Sequence, residues 1–286
     1  MPKISVIMNC YNSSKYLEEA INSVYAQTYK DWEIVFLDNA STDNSAEIAK
    51  GYDSKLKYYK NETYVPLGCA RNMAIEKANG EYIALLDCDD MWSPEKLELQ
   101  VGLLDKNPNI GLVYCDAFLI NEDNTKIINQ FFKIAQPFRG KVTIPLINWN
   151  FIPCLTVMFK KALFTQAGPF RTDLNISEEY EFFLRLSLIT EFDYINNPLA
   201  KYRCHIGSVS KDTKRRYEEI NDILSSFSEK ITDLSIKKVI ATNISKNKKV
   251  LMVIKLLDYL PKPIGDFIKS FLKVMNKLLK FVKKAF

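Results

Sequence analysis

The chain has 286 residues, 47% of them hydrophobic and 26% charged, which is enough to bury one large α/β domain or two small ones. Six cysteines at positions 10, 69, 88, 115, 154 and 204 are scattered without C-x-x-C spacing, against a disulfide framework or thiolate cluster and in favour of a reducing compartment. The opening MPKISVIM is too short for a signal peptide, and no run reaches the roughly 18 apolar residues of a membrane span, so a cytoplasmic body is expected.

In chain order, Ile4–Met8 reads as a buried strand, and residues 13–27 carry helical periodicity at Tyr16, Leu17, Ala20, Ile21 and Val24. Trp32–Leu37 is a second strand, followed by DNASTDNSAEIAKG, a turn opening a helix that Gly51 ends. Leu56–Tyr59 is a weak strand, Gly68–Ala78 a helix stopped by Asn79-Gly80, and Tyr82–Leu86 a strong strand. This alternation predicts βαβ units and a mainly parallel sheet. Ser93-Pro94 has the form of an N-cap and first-turn proline opening a helix to about Lys106. Beyond Ile110 the rhythm loosens. IGLVYCDAFLI predicts a strand, Phe131–Phe159 is irregular and aromatic, and 178–189 predicts a helix. LAKYRCHIGSVS then reads as a strand leaving the core as a loop, and most of Lys211–Phe286 is helical by pattern.

The run LLDCDD closes the strong strand with Asp87, Asp89 and Asp90, three acids that repel unless something positive lies among them. Parallel sheets bind ligands at the carboxyl ends of their strands. While a strand persists, residues i and i+2 share a side, so Asp87 and Asp89 converge on one point. Hard oxygen ligands of this kind suit Mg²⁺ or Mn²⁺, which also keep water and phosphate oxygens. The plain structural alternative is a polar loop capping the helix from Ser93.

Five separated blocks stand in one order: SVIMNCYNSSKYLEEAINSVYAQTYKDWEIVFLDNASTDNS, GCARNMAIEKANGEYIALLDCDDMW, AGPF, SEEYEFFLRLS and YRCHIGSVS. Together they resemble the family 2 glycosyltransferases, nucleotide-sugar enzymes with the GT-A fold, from Ile4 to about Ser210. The resemblance implies a Rossmann-like α/β sheet over 1–210, with a nucleotide-binding half (1–100) and an acceptor half (101–210). It implies that Asn9 and Tyr11 meet the nucleotide base, Tyr11 by stacking, although the family often has Pro-Thr where this chain has Asn9-Cys10. Asp38 matches the acid that hydrogen-bonds the pyrimidine, and a carboxylate accepting from uracil N3–H would select uridine over cytidine. Asp43 is expected to be a cap.

Arg71 matches an arginine reaching the base or diphosphate, with a surface salt bridge as its structural alternative. Asp87 is implied to contact ribose or metal, Asp89 to be the main metal ligand, and Asp90 to support them or cap a helix. His205, the chain's one histidine, is placed by the YRCHIGSVS block beside the diphosphate or metal, and Arg203 is assigned to phosphate. A Glu-Asp pair opening a helix carries the family's catalytic base. Here the pair is Glu178-Glu179, so Glu179 holds the base position with a reach longer by roughly 1.5 Å, and Glu178 is its alternative. The stretch 120–176 carries no legible motif, and FIPCL (151–155) is assigned to the acceptor side only by its order along the chain.

The net charge of +5 conceals an asymmetry. From Lys237 to Phe286 there are 13 Lys against Asp258 and Asp266, a balance of +11, so the rest of the chain carries −6. Drawn as a helix from Ile264, the segment puts Phe267, Phe271, Met275, Leu279, Val282 and Phe286 on one face and Lys269, Lys273, Lys277, Lys280, Lys283 and Lys284 on the other. That pattern suits an anionic membrane interface, with a packed helical hairpin as the alternative. The aromatics lie away from the lysines, which argues against nucleic acid. The expectation is a Mn²⁺- or Mg²⁺-dependent, inverting transferase moving a sugar from a UDP-sugar to a lipid-linked or cell-surface glycan, peripherally bound to the cytoplasmic face of the membrane. Two competing readings are a nucleotide-sugar-binding protein with little catalysis and an acid-cluster phosphohydrolase of the haloacid-dehalogenase type. The latter wants its acids on the first strand, whereas here they follow about four.

Overall fold

Strands β1 (Ile4–Cys10) and β2 (Trp32–Asp38) are apolar and buried almost throughout, as interior parallel strands covered by helices must be. The computed structural model, which describes residues 1–205 and 212–258, sets them beside β3 (Leu56–Lys60) and β4 (Tyr82–Leu85) in the parallel order β3-β2-β1-β4. Register pairs Cys10 with Asp38, Asp38 with Lys60 and Ile7 with Leu85. The chain leaving β4 therefore runs beside the end of β1, where the Cys88 thiol donates to the Asn9 carbonyl at 3.3 Å.

Three helices serve this half. In α1 (Ser14–Tyr25), Leu17, Ala20, Ile21 and Val24 form the buried stripe at helical spacing. Asp43 accepts from the backbone N–H of Ser14 at 2.9 Å and of Ser45 at 3.0 Å. It thus caps both α1 and α2 (Ser45–Lys50), the latter ending at Gly51. The third helix, α3 (Leu67–Lys77), carries Arg71 and Asn72.

Past β4 the sheet is mixed rather than parallel. It continues as β8-β6-β9-β5, with β8 (Met158–Lys160) antiparallel to both β4 and β6 (Ile110–Ile120), and β7 (Ile127–Gln130) antiparallel to β6. The long β9 (Glu191–Arg203) runs parallel to β6 and starts well before the LAKYR segment from which a strand is predicted. Its far end pairs with β5 (Met91–Trp92), a two-residue strand with no signal of its own. That pairing explains one departure from expectation. The Ser93 N–H is drawn to the Leu199 carbonyl at 2.9 Å, so Ser93 extends β5 and does not cap a helix; α4 (Lys96–Lys106) starts two residues later than Pro94, with no side-chain cap.

Two stitches fix the segment after α6, and the second ties it to the first half of the sheet. After α6 (Lys161–Ala167), Gly168 turns the chain at φ +81°, and Arg185 on α7 (Glu178–Ile189) donates to the carbonyls of Ala167, Gly168 and Pro169. Next to it, Asn72 donates to the Phe170 carbonyl at 2.9 Å and accepts from its N–H at 2.8 Å. The AGPF block is therefore a connector between α3 and α7. A short helix, α5 (Thr143–Asn148), leans on α7, where the Tyr180 hydroxyl donates to the Leu146 carbonyl at 2.9 Å.

Contacts group the chain into Met1–Val209 and Ser210–Phe286. Within the second unit, α8 (Thr213–Lys230) packs on α9 (Leu234–Asp258), and Asp212 caps α8 by accepting from the Arg215 N–H at 3.0 Å. No helix among the described residues is long and apolar enough to cross a membrane. The lysine-faced segment from Ile264 lies outside the described residues.

Gly68 sets the approach of α3 to the connector: a Cβ there would stand 2.2 Å from the Arg171 carbonyl oxygen. Gly68→Ala should therefore cost about 1–3 kcal/mol and lower the melting temperature by roughly 3–10 °C. An unchanged melting temperature in a thermal scan would show that α3 does not pack this closely.

Candidate active site

The site lies where β1, β2 and β4 end, at the carboxyl edge of the parallel strands, the edge at which such sheets bind ligands. Regular strand geometry stops at Leu85, and a turn follows in which the Asp90 N–H donates to the Asp87 carbonyl at 3.2 Å. The rule that i and i+2 share a side therefore lapses before the acids are reached. Asp87 and Asp89 take different partners, yet stay near enough for Asp89 to raise the Asp87 carboxyl.

Asp87 accepts from Nη2 of Arg71 at 3.1 Å, while Nη1 of the same guanidinium donates to Oε1 of Glu178 at 2.6 Å. Arg71 is 4% exposed. Burial works against its charge, but the surrounding acidic groups, Glu178, Asp87 and Glu179 among them, push its pKa above the ordinary arginine value. Through Nη1 and Nη2 it bridges the end of β4 and the start of α7, a buried ion pair rather than a surface one. Desolvation in the cleft raises the Asp87 carboxyl, Arg71 opposes this, and Asp89 adds to it.

Asp89 points the other way. Its Oδ2 lies 2.8 Å from Nε2 of His205, and both side chains keep part of their surface open, 32% and 17%. The pairing brings together residues 116 positions apart in sequence. It depends on Arg203, which ends β9 and is 1% exposed. Its backbone N–H donates to Asp90 Oδ1 at 2.8 Å, Nε to the Asp89 carbonyl at 2.8 Å, and Nη2 to Glu19 at 2.7 Å; Nη1 donates to the Glu122 carbonyl. The guanidinium also lies over the Tyr16 ring at 4.4 Å. A fork so fully engaged and buried has nothing left for a phosphate, which corrects the role assigned to Arg203. It is a strut that sets Asp89 beside His205. Asp90, buried and raised well above the usual carboxylate range chiefly by desolvation, belongs to the same strut.

Among the described residues no group of three or more His, Cys, Asp or Glu forms a closed metal cage. The donor set at Asp89 and His205 is one carboxylate and one imidazole, partly exposed. That fits an ion taking two protein ligands and completing its shell with phosphate oxygens and water, the habit of Mg²⁺ and Mn²⁺. An imidazole donor favours Mn²⁺ of the two.

On the base side, Tyr11 is 49% exposed at the end of β1, its ring 4.7 Å from that of Tyr64. Asn12 follows at φ +50°, a conformation asparagine tolerates, and its Oδ1 accepts from the Thr42 N–H at 2.8 Å. The Asn9 side-chain nitrogen is buried and, among the described residues, has no hydrogen-bond partner. Asp38 departs from expectation. It is fully buried, with Oδ2 accepting from the Tyr58 hydroxyl at 2.7 Å and Oδ1 from the Ser41 N–H at 2.8 Å. One oxygen holds the turn after β2 and the other the Tyr58 hydroxyl on β3, so both already accept hydrogen bonds within the protein.

Glu178 and Glu179 open α7 and differ sharply. Glu178 is 1% exposed and paired with Arg71, whose Nη1 lies 2.6 Å from its Oε1. Glu179 is half-buried, and burial first, then the charge of Glu178, push it up to about 8, with Arg71 pulling against them. Cys154 stands in the same field: burial raises its thiol well above the ordinary value, Arg71 opposes, and Asp87, Glu179 and Glu178 add. Sequence reasoning missed Tyr64 and the asparagines that hold its loop; an aromatic residue shortly after a weak strand was the only signal.

Comparison with known proteins agrees with this geometry. The model of glycosyl transferase family 2 matches residues 5–164. An Escherichia coli protein, UDP-Glc:alpha-D-GlcNAc-diphosphoundecaprenol beta-1,3-glucosyltransferase WfgD, is 33% identical over 230 residues, covering 78% of this chain and 87% of its own. An uncharacterized glycosyltransferase of Rickettsia typhi is 30% identical over 236 residues, covering 81% and 73%. Among solved structures, S. aureus TarS 1-349 in complex with UDP-GlcNAc superposes with a TM-score of 0.72 at 20% identity, covering 91% of this chain and 76% of that one. Mannosyltransferase PcManGT from Pyrobaculum calidifontis, in complex with GDP-Man and Mn²⁺, gives 0.68 at 16%, covering 96% and 80%. The two structures share the GT-A fold with this chain. With a family model over more than half of the sequence and a relative one-third identical along most of both chains, the chain belongs to glycosyl transferase family 2 and is a glycosyltransferase.

Proposed function

We propose that the enzyme is a metal-dependent, inverting transferase that moves a sugar from a UDP-sugar to a hydroxyl of a lipid-linked glycan. The observation that carries this is the Asp89–His205 pair just past β4, with the neighbouring Asp87 linked through Arg71 to Glu178 at the start of the helix that carries Glu179. Asp89 and His205 would hold a divalent ion, Mn²⁺ or Mg²⁺, which supplies positive charge to the departing diphosphate. Tyr11 offers its face to the base, and Asn9 offers an amide donor to a base carbonyl. Asp87 meets the ribose or the metal. Glu179 takes the proton of the acceptor hydroxyl as its oxygen bonds to the anomeric carbon. The bond from that carbon to the diphosphate oxygen breaks on the opposite face, and the electron pair leaves with the nucleoside diphosphate.

The UDP donor and a diphosphate-lipid acceptor are those of the E. coli relative WfgD, which supports this reading. Peripheral attachment to the cytoplasmic face of an anionic membrane is supported by the basic, amphipathic sequence from Ile264 to Phe286.

Glu179→Gln should lower turnover by about 10²–10⁴-fold and leave UDP-sugar binding intact. Asp89→Ala should abolish the Mn²⁺-dependent rise in melting temperature produced by UDP-sugar. Unchanged turnover in the first variant would place the base elsewhere, and an unchanged shift in the second would remove Asp89 from the metal.

A base works as its carboxylate. Because Glu179 is raised to about 8, its active fraction is small at pH 6 and grows through about pH 8. The kcat/KM profile should climb across that window; a profile flat from pH 6 to 9 would contradict the assignment. Deleting residues 261–286 should release the protein from anionic liposomes on sedimentation, and equal binding of full-length and truncated chains would exclude the tail as anchor.

A further inference from the structure

The loop after β3 has no family motif, yet it is tied down closely. The Asn61 N–H donates to the Asp38 carbonyl at 2.8 Å, and its side chain donates to Asn39 Oδ1 at 2.9 Å. Asn39 in turn grips Val65 twice, accepting from its N–H at 3.1 Å and donating to its carbonyl at 2.7 Å. Asn39 and Asn61 are both buried, at 4% and 7% exposure. Three residues between two anchors have little freedom, and the last of them, Tyr64, is left exposed beside the Val65 anchor.

A tyrosine held that way and left 58% exposed covers no core. Its ring instead meets Tyr11, the planes inclined at 59°. Tyr11 has its own anchors, because Asn12 is bonded through its N–H to Ser41 Oγ at 3.0 Å and through Oδ1 to Thr42. Two rigidly based phenols set at an angle form a corner. A flat heterocycle laid on one face meets the other ring with its edge, the arrangement aromatic groups prefer to a face-to-face sandwich.

We infer that Tyr64 is the second wall of a nucleobase corner, so that Tyr11 stacks on the base and Tyr64 bounds it. The corner stands at the ends of β1 and β3, on the far side of β1 from β4 and its acids, in the order base then diphosphate along the sheet edge. Asn39 and Asn61 are positioning residues for it. The inference rests on the nucleotide-sugar reading above.

The test is calorimetric, on the full chain with Mn²⁺ present, using UDP and inorganic pyrophosphate as probes. Tyr64→Ala should weaken UDP binding roughly tenfold. Tyr64→Phe, which keeps the ring, should bind UDP like the wild type, and pyrophosphate, which has no base, should bind all three proteins equally. Unchanged UDP binding in Tyr64→Ala overturns the inference, and so does a parallel loss of pyrophosphate binding, which would mark a structural role. A wild-type protein that binds pyrophosphate but no UDP overturns the UDP reading itself, and the corner with it.

Discussion

One buried guanidinium holds this active site in register. Arg71 sits on α3, which the βαβ rhythm of the first half produces, and its two nitrogens reach Asp87 at the end of β4 and Glu178 at the start of α7. Glu178, 1% exposed, is a buried anion that needs such a partner, and at the partly open Asp87 desolvation raises the carboxyl while Arg71 pulls it down. The arginine's charge would itself be expelled from so dry a place without them. The three groups are mutually required. Their geometry sets the distance between the donor end of the sheet and the helix that carries Glu179.

Around that bridge the acids divide their work by partner rather than by spacing. Asp87 belongs to Arg71, Asp89 to His205, and Asp90 to the backbone of Arg203. Glu178, in the ion pair, lets its neighbour stay unneutralised, and the negative charge so placed helps raise Glu179. Glu179 is the acid left outside that ion pair, and its carboxyl is raised to about 8. Arg203 makes the matching commitment at Asp89, where it draws the end of β9 back over the turn after β4.

Much of this was legible in sequence. Apolar runs and helical spacing located β1, β2, β4, β6 and α7, because those elements are buried on a regular pattern. The order of the blocks was enough to single out the acidic run and His205, and the structure sets Asp89 and His205 2.8 Å apart. Three things were not legible. β5 is two residues long and exists only because β9 pairs with it. The fates of Arg71 and Arg203 depend on which carboxylates and carbonyls the fold delivers to their forks, a long-range matter that no local pattern encodes. The partners of Asp38 were not legible for a similar reason: the fold brings Tyr58 and the turn at Ser41 to it.

The claim that Arg71 couples the two ends of the site is tested most directly by a double-mutant cycle in unfolding free energy with Asp87→Asn, Glu178→Gln and the double variant. If both carboxylates share one guanidinium, the pair should couple by at least about 1 kcal/mol. Additivity within about 0.3–0.5 kcal/mol would contradict the bridge and leave the donor end and the base helix as independent structures.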